Sequence, residues 1–140
     1  MFSYRHGFHA GNHADVLKHC VLAQLLGYLN QKAGPYMVID THAGAGVYQL
    51  DSDYATKSGE SEEGVALLWD RDDAPAAVND YLQIIKDMNP AGRLRHYPGS
   101  PFLAERLSKP LDDPFAPDIL VVPGIGIADW IQEQLSLKFG

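Results

Sequence analysis

The run Tyr36-Met37-Val38-Ile39-Asp40, opening without a break onto Thr41-His42-Ala43-Gly44-Ala45-Gly46, constrains this chain more than any other stretch. A continuous apolar segment that ends in an acid and a glycine-rich turn is the pattern of a buried parallel strand. It puts a ligand loop at the strand's C-terminal end, where glycines let backbone approach a bound group. The spacing predicts an α/β fold. DTHAGAG lacks the third glycine of the dinucleotide fingerprint and the Lys-Ser/Thr of a P-loop, so neither of those sites is indicated. On these residues alone, a tight turn that holds no ligand is an equally good reading.

The remaining elements follow a βα rhythm. Val16, Leu17, Cys20, Val21, Leu25, Tyr28 and Leu29 recur every three to four residues. This predicts an amphipathic helix, capped by Asn12 or Asp15 and stopped by Gly34-Pro35. Residues 51–63 are polar, and helical stretches are expected over Glu63 to Asp70 and Pro75 to Asn89, which together make a helical insert over 50–92. Arg93 to Tyr97 reads as a second strand, Pro98-Gly99-Ser100-Pro101 as a tight loop and Phe102 to Leu107 as a helix. A strand over Ile119 to Val122 and a helix over Ile127 to Leu137 close the chain.

Length and cysteine count narrow the class. At 140 residues a single domain can bury a core without disulfides or a structural metal. The lone Cys20 suits a reducing, cytoplasmic setting, and no apolar stretch approaches the roughly 20 residues of a membrane helix, so no membrane role is expected. The net charge of -7 argues on average against a polyanion partner. It is unevenly spread, however. Residues 51–87 carry ten acids against three bases, whereas residues 1–50 carry two against three and hold five of the six histidines.

Those histidines raise two functional readings. Tyr4 to His13 places three imidazoles, a phenol, a guanidinium and an amide within ten residues. As a metal site the segment is weak, because His6, His9, His13 and His19 match no zinc-finger or HExxH spacing, and no metal site is assigned. As an arm that grips a base or phosphate it offers Tyr4, His6 or Phe8 for stacking and Arg5 or Lys18 for phosphate. A packed arm with locally bonded imidazoles explains the composition equally well. Lys18 reads as a surface lysine, His19 as a half-buried histidine beside the apolar stripe, and Ser100 as a helix cap. Trp69 and Trp130 read as core or interface residues.

SYRHGFHAGNHADVLKH, followed by IDTHAGAGVYQL and then by YPGSP, resembles the RlmJ-type family of bacterial large-subunit ribosomal RNA adenine-N6 methyltransferases from Met1 to about Lys109. The resemblance implies a Rossmann-like methyltransferase fold, here incomplete, with a helical insert after the first strand. It implies S-adenosylmethionine as cofactor, bound by Lys18, His19, His42, Gly44, Gly46 and Ser100. Tyr4, His6 and His9 would belong to the arm that faces the adenosine of 23S ribosomal RNA. The family's catalytic Asp-Pro-Pro-Tyr motif has no counterpart, since no Pro-Pro dipeptide occurs, and no catalytic residue is assigned. Residues 110–140 diverge from the family. A second reading is a non-catalytic nucleic-acid-binding remnant, some relatives being named for use of external DNA. A homodimer that buries an incomplete sheet is compatible with either.

Overall fold

A computed structural model describes residues 6–51, 59–108 and 120–121. Helix α1 spans His13–Leu29. Asn12 caps it, its side-chain oxygen accepting the Asp15 N–H at 2.9 Å, and Asp15 sits in the first turn where the helix dipole favours an acid. The helix stops at Leu29, short of Gly34-Pro35. Asn30 accounts for the early stop: its backbone N–H bonds to Leu26, its side-chain amide donates to the Leu107 carbonyl at 2.7 Å, and its side-chain oxygen accepts from the Tyr36 hydroxyl.

The buried face of α1 is not the expected one. Asp15, His19, Cys20, Ala23 and Leu26 point inward, while Leu17, Val21, Leu25 and Tyr28 are each half or more exposed. Both faces of this helix carry apolar residues, so periodicity alone did not say which one meets the core. His19, expected to be half buried, is fully enclosed.

The strands are shorter than the sequence suggests. β1 is only Ile39–Asp40 and pairs in parallel with β4, Leu120–Val121. Met37 and Ile39 are exposed rather than buried. A strand that the sequence did not suggest, β2 (Val47–Gln49), runs antiparallel to β3 (His96–Pro98), with Tyr48 opposite Tyr97. The described residues therefore form two separate two-stranded sheets instead of one continuous parallel sheet. β3 begins three residues later than expected. The Asn89 side-chain oxygen holds the N–H groups of Arg95 and His96, each at 2.8 Å, which keeps the approach to β3 in a bend.

In the region predicted as a helical insert, a single 3-10 turn at Val65–Leu68 replaces the helix expected over Glu63 to Asp70. Gly64 makes this turn possible: a β-carbon there would run into the Gly11 carbonyl, and the Val65 N–H donates to that same carbonyl at 2.8 Å. Helix α2 spans Ala76–Met88, close to its expected limits. Helix α3 spans Ser100–Leu107 and starts earlier than expected. Gly99 is its cap residue and Pro101 lies in its first turn, where a missing N–H costs nothing, so Ser100 is a helical residue and not the cap. The helix expected over 127–137, and with it Trp130, lies outside the described residues.

The core gathers Ala10, Cys20, Val65, Tyr81, Leu82, Ile85 and Tyr97, with Val16, Tyr48 and Trp69 packed against it. Tyr81, Leu82 and Ile85 form one face of α2, at the three-and-four spacing that its sequence shows. Each fully buried aliphatic side chain of this kind contributes about 1.5–3 kcal/mol. α1 packs against both α2 and α3, which brings the β1 loop, β3 and the start of α3 to one side of α1. Among the described residues, no helix is long and apolar enough to cross a membrane.

Candidate functional site

Lys18, His19, His42, Gly44 and Ser100 line one cavity of about 580 Å³. They come from three separated segments: the second turn of α1, the loop leaving β1 and the first residue of α3. Ala43, Ala45, Tyr48 and Gly99 are the other described residues on the wall. Gly46 is not on the wall. Its carbonyl accepts the Gly99 N–H at 2.8 Å and so joins the two loops that frame the cavity.

His19, Lys18 and His42 are each held by a definite partner. His19 is 1% exposed, and its Nδ1 lies 3.0 Å from the Tyr97 hydroxyl, with the two rings stacked at 5.7 Å. Lys18, adjacent in the helix, diverges in direction, but both residues reach the same cavity. Its ammonium donates to Asp15 Oδ1 at 2.7 Å, while Asp15 Oδ2, on a buried side chain, accepts the Gly11 N–H. The His42 N–H donates to Asp40 Oδ1 at 3.1 Å, and its Nδ1 lies 2.8 Å from the Thr41 hydroxyl.

The loop folds back on Tyr48, whose hydroxyl accepts the Ala45 N–H at 3.0 Å. A β-carbon at Gly44 would overlap that hydroxyl, and one at Gly99 would overlap the Ala45 carbonyl. At Gly99 the clash is with backbone, so glycine is needed there, whereas at Gly44 a side chain would have to displace the end of the Tyr48 ring. At Gly46 a β-carbon would meet nothing, so the space beside it is open. Asp40 Oδ2 is buried and has no hydrogen-bond partner among the described residues.

Volume and lining suit a nucleoside-sized ligand, since small-molecule sites run from about 300 to 1,000 Å³ with a few convergent polar groups. S-adenosylmethionine carries an ammonium, ribose hydroxyls and an exocyclic amine as donors, and the unpaired Asp40 oxygen beside the loop is an acceptor of matching kind. The residues present therefore fit this group. Among the described residues, no cluster of three or more His, Cys, Asp or Glu side chains is arranged to hold a metal ion.

Of the described arm residues, His9 is not on the cavity wall. Tyr4 and Arg5 lie outside the described residues, and His6 opens the 3-10 turn His6–Phe8. His9 Nδ1 lies 2.9 Å from Glu60 Oε1, and the Asn12 side-chain amide donates to Glu60 Oε2 at the same distance. These two contacts hold the Glu60 carboxyl below the usual glutamate range, the Asn12 bond first and the His9 bond second. Sequence reasoning missed Tyr48, Gly99, Tyr81 and Tyr97. Tyr48 and the Tyr97-Pro98-Gly99 run sit inside two of the three motifs that carry the resemblance, which was their only local signal. Nothing near Tyr81 marked it as more than a core residue.

The family model described as ribosomal RNA large subunit methyltransferase D, RlmJ, matches residues 33–117. Two relatives called ribosomal RNA large subunit methyltransferase J are 51% identical over 112 residues (Escherichia coli K12) and 47% identical over 113 (Haemophilus influenzae). Each match covers 80% of this chain and 40% of the relative, so the chain spans less than half the length of the proteins it resembles. A crystal structure of protein LPL1258 from Legionella pneumophila is similar at TM-score 0.65 and 39% identity, over 72% of this chain and 37% of that one. A stretch of 39 residues is 49% identical to the RecBCD enzyme subunit RecC of Escherichia coli, and it covers only 3% of that protein. With more than half of its residues matched by the family model, the chain belongs to the RlmJ family.

Proposed function

We propose that this chain is a partial, Rossmann-like methyltransferase domain that binds S-adenosylmethionine and serves N6-methylation of an adenosine in 23S ribosomal RNA in the cytoplasm. Residues 50–92 form its insert and 110–140 its divergent tail. The supporting observation is the convergence of Lys18, His19, His42, Gly44 and Ser100, from three segments, on one cavity of nucleoside size. When bound, the cofactor supplies an electrophilic sulfonium methyl.

The chain's own residues hold that ligand. Buried His19 and the Ser100 hydroxyl offer directed hydrogen bonds, and His42 stands at the exposed mouth on a loop that Asp40 and Tyr48 brace. Gly44 keeps the loop close to Tyr48, and Gly46 leaves room beside it. Tyr4, His6 and His9 form the arm that meets the adenosine, its base by ring stacking. Asp-Pro-Pro-Tyr, which in this family accepts hydrogen bonds from the adenine amine, is absent from the sequence. The chain by itself thus binds cofactor without turnover.

Calorimetry with S-adenosylhomocysteine tests the reading. Binding is expected, weakened about tenfold by His42→Ala through loss of one directed contact. No heat of binding up to millimolar ligand would end the cofactor assignment. Methyl transfer to unmodified ribosomal RNA should be absent, and RNA binding that falls with salt and is lost in Tyr4→Ala with Arg5→Ala supports the arm.

A further inference from the structure

Behind the cavity wall a buried chain of polar groups leads to His19. Tyr81, on α2, and Tyr97, on β3, are both fully enclosed, and their hydroxyl oxygens are 2.7 Å apart. The Tyr97 hydroxyl is in turn 3.0 Å from His19 Nδ1. Burial pushes both phenols well above the ordinary tyrosine range, so each keeps its proton, and each proton needs an acceptor.

Counting protons gives the chain a direction. If Tyr81 donates to the Tyr97 oxygen, then Tyr97 donates to His19 Nδ1, and both phenolic protons are accepted. In the reverse order His19 Nδ1–H donates to Tyr97 and Tyr97 donates to Tyr81. The Tyr81 proton is then enclosed without an acceptor, since Tyr97 is its only hydrogen-bond partner among the described residues. Nδ1 therefore accepts, and the ring proton of neutral His19 is on Nε2.

We infer that Tyr97 is a positioning residue that fixes His19 as its Nε2–H tautomer, with Tyr81 orienting the Tyr97 hydroxyl from behind. His19 thus meets a ligand as a hydrogen-bond donor to an oxygen or ring nitrogen, and as a neutral ring that does not repel a sulfonium. The inference deepens the cofactor reading and rests on it only for the ligand; the tautomer belongs to the free protein.

The test is nitrogen-15 NMR of the His19 ring in the full, ligand-free chain, paired with S-adenosylhomocysteine calorimetry. The wild-type ring should show protonated Nε2 and bare Nδ1. Tyr97→Phe removes the donor, so the ring should become a mixture of tautomers and affinity should fall about tenfold. Tyr81→Phe removes a buried hydroxyl but leaves Tyr97 only Nδ1 to donate to, so it should lower the melting temperature while keeping the tautomer and leaving affinity within about twofold. A wild-type ring protonated on Nδ1, or an unchanged tautomer in folded Tyr97→Phe, overturns the inference. If the tautomers behave as expected but the wild type binds no S-adenosylhomocysteine, the cofactor reading fails and the relay stands.

Discussion

At Gly11 the backbone holds φ at +77°, and a β-carbon there would come within 2.9 Å of Val65 Cγ1. An alanine would meet both the left-handed backbone cost and that overlap, so Gly11→Ala should destabilise the protein by about 1–3 kcal/mol in urea unfolding. Gly7→Ala, where a β-carbon meets nothing, should be near neutral and serves as the control. Asn89 is a second such position. It is 4% exposed, and its side chain makes four hydrogen bonds, to the Ile85 and His96 carbonyls and to the Arg95 and His96 N–H groups. Asn89→Ala should cost about 2–3 kcal/mol by leaving buried backbone groups without partners, measured as a drop in the urea midpoint at unchanged slope. Neither role was legible in the sequence. Gly11 lay in an arm with no period, and Asn89 read only as the end of a helix.

Among the elements, the contact between the N-terminal turn and the segment before Val65 depends on Glu60. Its carboxyl accepts from Asn12 and pairs with His9, and its folded pKa lies below the ordinary glutamate value of 4.5. The stabilisation is fully present above that ordinary value and is lost as pH falls through the depressed folded one. Melting temperatures of the wild type and Glu60→Gln should therefore differ at pH 7 and converge as pH falls below the ordinary glutamate value. Curves that stay parallel through that range would show the contact to be without energetic effect. The sequence shows ten acids over residues 51–87 and marks no partner for any of them. One of them, Glu60, ties His9 and Asn12 to the segment before Val65, a pairing across about 50 residues that no local spacing encodes.

For the whole molecule, the outward face of α1 matters most. Leu17, Val21, Leu25 and Tyr28 follow one another at four, four and three residues and are each half or more exposed. They form an apolar stripe along one side of the helix. They are far from the core contacts of Cys20, Ala23 and Leu26, so Val21→Lys with Leu25→Lys should leave stability within about 0.5 kcal/mol. The same pair should reduce binding of a hydrophobic dye such as ANS, and a loss of several kcal/mol would show that the stripe is buried in solution. The chain covers only 40% of the length of its relatives, and in them this face has more polypeptide available to meet it.

What the sequence determined by itself is local. The cap at Asn12, the extent of α2 and the glycine loop after Asp40 all follow from backbone geometry and short-range hydrogen bonding, which neighbouring residues specify. The resemblance carried by three motifs also pointed to Lys18, His19, His42, Gly44 and Ser100, which the structure brings to one cavity, whereas Gly46 bonds behind the wall and Ser100 does not cap. Only the tertiary structure decided which face of α1 turns inward, that β2 pairs with β3, and that Tyr81 and Tyr97 stand behind His19. Those outcomes depend on contacts between residues far apart in the chain, where many partners satisfy the same local pattern and packing selects one.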